Sequence, residues 1–183
     1  FETWLQQMWD WCDLIGLNKS NLALFEHPKD KLSHYSKRTI DINYHFPFGE
    51  SELYGLAYRG DFDLKQHEKH AKTSLLYTSK TGEKFLPHVI EPTFGVDRTL
   101  LAILCDAYEE ETLENGEMRT VLHLDPKIAP CKVAVFPLMK KPDLIAKAKE
   151  VFTILSPIGN IHYDEAGAIG KRYRRHDEIG TPF

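Results

Sequence analysis

The stretch PHVIEPTFGVDRTLLAILC, from Pro87 to Cys105, packs a β-type run, an acid, a turn and the start of an apolar helix into a short space. His88-Val89-Ile90 reads as a strand closed by Glu91. Pro92 and Gly95 punctuate a turn, and Asp97-Arg98 open the next helix. An arginine in the first helical turn opposes the macrodipole, whose positive end lies there. It needs compensation. A polyphosphate would provide it, because guanidinium offers a fixed fork to phosphate oxygens. An ion pair with Asp97 or Glu91 would provide it too, and spacing alone leaves both readings open.

Upstream, Arg38 to Phe46 alternates Ile40, Ile42 and Tyr44 with Asp41, Asn43 and His45, which predicts a strand with two unlike faces. Pro47-Phe48-Gly49 predicts a turn and Glu52 to Arg59 a returning strand. Regular alternation there sets Glu52, Tyr54, Leu56 and Tyr58 on one face and Leu53, Gly55, Ala57 and Arg59 on the other. The small residues of the second face leave room for a ligand. Asp61-Phe62-Asp63 begins a polar helix, and Lys65 to Lys72 reads as exposed helix or loop. Nearer the start, Trp4, Met8, Trp11, Cys12 and Ile15 recur at helical spacing up to Gly16, with the tryptophans expected in the core.

Downstream, Leu100, Leu104, Ala107 and Tyr108 form the expected buried stripe of the helix that Arg98 opens. The acids Glu109-Glu110-Glu111 read as its solvated end, before a turn at Asn115-Gly116. Pro126 to Pro130 is the best domain boundary. Beyond it a strand at Val133–Phe136, an amphipathic helix through Leu144, Ala148, Val151, Phe152 and Leu155, and a strand at Asn160–Tyr163 predict a parallel β-α-β unit. The basic run Lys171-Arg172-Tyr173-Arg174-Arg175 fits phosphate contact with base stacking. It equally fits a solvated helix face paired with Asp177 and Glu178.

Composition narrows the class. The 183 residues hold 42% hydrophobic and 27% charged side chains, ordinary globular values, and a net charge of −4 disfavours a chain that grips nucleic acid over its whole surface. Cys12, Cys105 and Cys131 are scattered among apolar neighbours and read as reduced thiols of an intracellular, cytoplasmic protein, with no disulfide and no metal role. His67 and His70 share a helical face without a second pair at ligand spacing, so a solvated face is expected there. No apolar run approaches membrane-spanning length.

Three segments carry a resemblance. EPTFGVDR after PHVI (Pro87–Arg98) resembles motif 3 of the class II aminoacyl-tRNA synthetases, in the form found in glycyl-tRNA synthetases of the dimeric type. SELYGLAYRGDFDL (Ser51–Leu64) resembles the strand that precedes it, and GAIGKRYRRHDEIGTPF (Gly167–Phe183) the start of the anticodon-binding region. The resemblance implies an α+β fold with part of an antiparallel class II catalytic sheet over residues 1–126, followed by part of an α/β anticodon-binding domain over 127–183. The activity implied is ATP-dependent activation of glycine to glycyl-adenylate and its transfer to tRNA(Gly), with Mg²⁺, in a homodimer when full length.

By the same resemblance, Glu52, Leu53, Gly95, Val96, Asp97 and Arg98 lie on the ATP side, with Arg98 the catalytic charge. Arg59, Glu91, Pro92, Thr93, Phe94 and Gly95 hold glycine, and Thr93 stands where most relatives carry Ser. Lys171, Arg172, Arg174 and Arg175 are the expected tRNA contacts. Glu52 and Glu91, converging on one pocket, would hold an ammonium by charge-assisted hydrogen bonds. Glycine has no side chain to grip, so selection must come from crowding the space where a Cβ would lie. Motifs 1 and 2 find no match, and the segment between Lys72 and Glu83 is shorter than the family pattern, so these residues alone are not expected to activate glycine. The alternatives are a prolyl- or threonyl-type class II enzyme, or a non-catalytic accessory subunit that binds RNA or protein.

Overall fold

A computed structural model describes residues 1–183. Two compact units make up the chain: Phe1–Leu14 with Asn18–Leu100, and Ile15–Leu17 with Leu101–Phe183.

In the first unit, α1 (Glu2–Leu14) is followed by β1 (Leu22–Glu26), β2 (Arg38–Phe46) and β3 (Gly49–Gly60). Then come α2 (Phe62–Ala71), a short hairpin of β4 (Tyr77–Thr78) and β5 (Lys84–Phe85), β6 (Val89–Phe94) and α3 (Val96–Ala107). Strands β1, β2, β3 and β6 form one antiparallel sheet in that order. Its apolar face carries Ile40, Ile42, Tyr44, Tyr54 and Leu56, all buried, as are Met8 and Cys12 of α1. Burial pushes the Cys12 thiol up to about 11, which keeps it protonated and inert. Trp11 Nε1 donates to Tyr54 Oη at 3.2 Å. Thr99 Oγ1 spends its own proton on the Gly95 carbonyl at 2.6 Å, so Tyr54 donates to Thr99 at 2.8 Å. One phenol thus ties both helices to the sheet.

The expectations for this unit need four corrections. The β2–β3 register slips between Ile42 and Asn43: Ile42 pairs with Tyr54 and Asn43 with Glu52, leaving Leu53 as a bulge residue. The slip turns Glu52 onto the face of Gly55, Ala57 and Arg59, where regular alternation had not put it. Pro92 lies within β6, paired with Leu56, and not in the turn. A proline is tolerated because β6 terminates the sheet order and need not donate on its outer side. The tryptophans are half out, with Trp4 44% and Trp11 40% exposed, and the smaller Met8 and Cys12 fill the core instead. Of the expected α3 stripe only Ala107 is buried: Leu100 and Leu104 are open, Tyr108 is exposed just past the helix end, and Ala102 is the helix's other buried residue.

In the second unit, β7 (Tyr108–Thr112) and β8 (Met118–Leu122) form an antiparallel hairpin about the Asn115-Gly116 turn, where Gly116 takes φ +82°. The acids 109–111 are therefore strand and not helix end. Glu111 pairs with Arg119 across the hairpin at 2.6 Å, which gives a charged strand a reason to form. Next come β9 (Val133–Val135), α4 (Pro142–Leu155), β10 (Ile161–Tyr163) and α5 (Ile169–Glu178). Strands β9 and β10 are parallel, as their order predicts. Val135, Ala148 and Ile161 centre a core flanked by Val133, Val151, Phe152, Leu155 and Tyr163. No helix is long and apolar enough to cross a membrane.

Candidate functional site

The polar face of the first sheet is assembled by register. Asp41 and Thr93 flank Gly55, and Thr39 and Glu91 flank Ala57, each pair on the side that the bulge also gives to Glu52. A Cβ added at Gly55 would meet Glu52 Oε1 at 3.2 Å and Asp41 Oδ1 at 3.5 Å, so the acids crowd the floor of this face. His27 Nε2 lies 2.6 Å from Asp41 Oδ2 and anchors that carboxylate.

Arg59 organises the other end. Its Nε and Nη2 donate to Asp63 at 2.6 and 2.8 Å, its Nη1 donates to Glu91 Oε2 at 2.5 Å, and its guanidinium lies 4.0 Å from the Tyr35 ring centroid. These hydrogen bonds hold the Asp63 carboxyl below the usual carboxylate range. Held on three sides, Arg59 fixes the rotamer of Glu91. The arrangement is a face rich in carboxylates over Gly55 and Ala57, with one of them, Glu91, held in place by Arg59.

The sequence-predicted residues divide accordingly. Glu52, Arg59, Glu91 and Thr93 share the polar face. Pro92 and Phe94 alternate to the apolar side, where Phe94 packs 4.6 Å from Tyr54 and 6.3 Å from Trp11, so any role of theirs on the polar face is through backbone. Leu53 is buried and is restricted in the same way. Gly95, Val96 and Asp97 lead into α3, and Arg98, exposed in its first turn, donates through Nη1 to the Glu52 carbonyl. That bond takes one edge of the fork and pairs it with neither Asp97 nor Glu91. Sequence reasoning missed Asp41, His27 and Tyr35. Only Asp41 gave a signal, as a polar residue in an alternating strand.

A divalent cation such as Mg²⁺ takes hard oxygen ligands. Glu52 fits that need, and Asp41 lies close by but is already engaged by His27.

On α5 the basic run separates by depth. Arg172 is 2% exposed, donating to the Pro137 carbonyl at 2.5 Å and the Gly167 carbonyl at 2.8 Å, while its Nε has no partner. It cannot meet RNA, because α5 amphipathicity turns it inward. Arg174 pairs with Glu117 at 3.2 Å, and Arg175 with Asp164 and the Ala166 carbonyl. Lys171, Tyr173 and Arg174 line an open groove with Glu117 and Arg119. Replacing Arg172 by leucine strands two carbonyls in the interior and is expected to cost about 2–4 kcal/mol. Lys171→Ala should stay within about 0.5 kcal/mol. Denaturant midpoints of the two variants check the contrast.

Known proteins extend this picture. Residues 132–183 match the family described as an anticodon binding domain. Over the whole chain, the sequence is 53% identical to the glycine–tRNA ligase of Clostridium tetani, covering 39% of that protein. It is 50% identical to that of Thermobifida fusca over 98% of the chain and 41% of the relative, and 50% identical to that of Streptomyces coelicolor, again covering 41%. The chain thus spans about two fifths of the length of these curated relatives. Over essentially its whole length the chain is thus about one half identical to a part of known glycine–tRNA ligases, with the anticodon-binding match at its end.

Proposed function

We propose that the chain contributes to an ATP-dependent glycine–tRNA ligase. Residues 1–126 would form the later part of a class II catalytic domain and residues 127–183 the opening of an anticodon-binding domain. The observation that carries the reading is the bulge at Leu53, which brings Glu52 to the same small-floored face as Glu91 and Arg59.

In this mechanism Glu91, oriented by Arg59, accepts hydrogen bonds from the glycine ammonium, and Thr93 adds a hydroxyl opposite Gly55. The carboxylates of Glu52 and Asp41 crowd the space above Gly55, and that crowding is the means by which amino acids with a Cβ would be excluded. The glycine carboxylate attacks the α-phosphorus of ATP, pyrophosphate leaves, and the glycyl group passes to tRNA. Arg98 neutralises phosphate charge, with its fork set by the Glu52 carbonyl and with Gly95, Val96 and Asp97 shaping the approach. Mg²⁺ would screen the phosphates when bound, held with the help of Glu52. Catalysis here is positioning and charge, with no side chain moving a proton. Lys171, Arg174 and Arg175 are the RNA-facing cations, Arg172 is structural, and the working protein would be a cytoplasmic homodimer.

Amino-acid-dependent ATP–pyrophosphate exchange by the full-length protein tests this across a panel of glycine, alanine, serine, proline and threonine. Exchange with glycine alone is expected. Exchange with proline or threonine would move the chain to a sister class II enzyme, and none at all would leave an accessory RNA- or protein-binding role.

A further inference from the structure

Sequence order scatters Cys131, His162 and His176, and the second unit's fold gathers them. Cys131 lies just before β9, His162 in the middle of β10 and His176 in the third turn of α5. One ligand atom from each lies within 4.8 Å of the other two. The imidazoles face each other edge to face, with centroids 5.5 Å apart, and Phe136 closes the far side of His176 at 5.1 Å. Cys131 and His176 are buried, while His162 is exposed.

We propose that Cys131, His162 and His176 form a binding site for one divalent transition-metal ion of zinc type, through the Cys131 sulfur, His176 Nε2 and a ring nitrogen of His162. The donor set is one thiolate and two imidazoles, the mixture that borderline-soft zinc and cobalt prefer over magnesium or calcium. A tetrahedral site with metal–sulfur near 2.3 Å and metal–nitrogen near 2.1 Å needs its donors about 3.5 Å apart. Closing from within 4.8 Å to that spacing takes side-chain rotation, which the exposed His162 ring can supply for its own contacts. Water completes the fourth position.

The surroundings favour ligation. His176 Nδ1 lies 2.9 Å from Thr181 Oγ1, and with the hydroxyl accepting from Nδ1–H, the lone pair is directed through Nε2. Such an outer partner is what metal-bound imidazoles characteristically have. Burial, and secondarily His162, lowers the basicity of His176. The Cys131 thiol faces the Val133 carbonyl at 3.6 Å; on binding, its proton leaves to solvent and the sulfur turns to the metal. Glu109, Glu111 and His123 also gather. They offer no sulfur, and Arg119 already holds Glu111.

The site would join the approach to β9, β10 and α5 through one shared ion. The test is titration of the reduced full chain with Co(II), read by absorbance. One equivalent should produce the near-ultraviolet thiolate-to-cobalt band with tetrahedral visible bands, and one equivalent of Zn(II) should remove both. His162→Ala, which leaves the interior intact, should weaken Co(II) binding by about tenfold to a hundredfold without moving the metal-free melting temperature. Cys131→Ser should abolish the charge-transfer band. Absence of a thiolate band, or a band that persists unchanged in either variant, overturns the proposal. Since neither readout involves glycine or ATP, failure here is separate from failure of the ligase reading.

Discussion

In the full-length protein, Arg98→Ala is expected to reduce glycine-dependent ATP–pyrophosphate exchange by about a thousandfold, the loss typical of removing a charged group from a developing phosphate charge. The same substitution should leave stability unchanged or slightly raised. Arg98 is exposed in the first turn of α3 and faces the positive end of the helix dipole, which disfavours it by a few tenths of a kcal/mol. Its one protein anchor is the Glu52 carbonyl, and exposed sites of this kind shift stability by less than about 0.5 kcal/mol. Activity and stability therefore move in opposite directions. A structural arginine would do the reverse, lowering the melting temperature and sparing exchange. Arg98→Lys sharpens the point: it keeps the charge and loses the fork, so an intermediate rate is expected.

Much of this was legible from residues. The strand Arg38–Phe46 carries its own alternation, and the structure ends it at the same residues. The parallel β9–β10 pair follows from a strand, an amphipathic helix and a strand in that order. What was not legible depends on partners. Nothing in Glu52-Leu53-Tyr54-Gly55 marks a bulge, since the string alternates acceptably by itself. The slip arises because β2 must bury Ile42 and Tyr44 while β3 buries both Leu53 and Tyr54. A one-residue error of register would have separated Glu52 from Glu91, so the detail that assembles the polar face was the least visible. The strand at Glu109–Glu111 was hidden for a similar reason, because three acids look solvated until Arg119 is placed across from them. Arg172 was recoverable. It stands four residues before His176, one helical turn, and both are buried. Charge count outweighed helical spacing in reading that run.

The second large effect is expected at Glu91, and it separates recognition of glycine from recognition of ATP. Glu91→Gln keeps the side chain's shape and its acceptor for Arg59, and removes one negative charge from the polar face. A charge-assisted hydrogen bond to an ammonium contributes about 1.5–3 kcal/mol more than nothing in its place, so KM for glycine should rise by roughly a hundredfold. KM for ATP should stay within about twofold, because Arg98 is anchored to Glu52 and not to Glu91. Asp63→Asn provides the matching control. It leaves Glu91 charged but loosens the bidentate hold on Arg59, whose two bonds to Asp63 are 2.6 and 2.8 Å. A freed Arg59 still neutralises Glu91 yet no longer fixes its rotamer, so a smaller rise in glycine KM, about tenfold, is expected. Steady-state kinetics with each substrate varied in turn reads all four constants. Equal losses in both substrates for Glu91→Gln would mean that Glu91 supports the sheet, and the ammonium would have to be sought at Glu52 and Asp41, the acids that crowd Gly55.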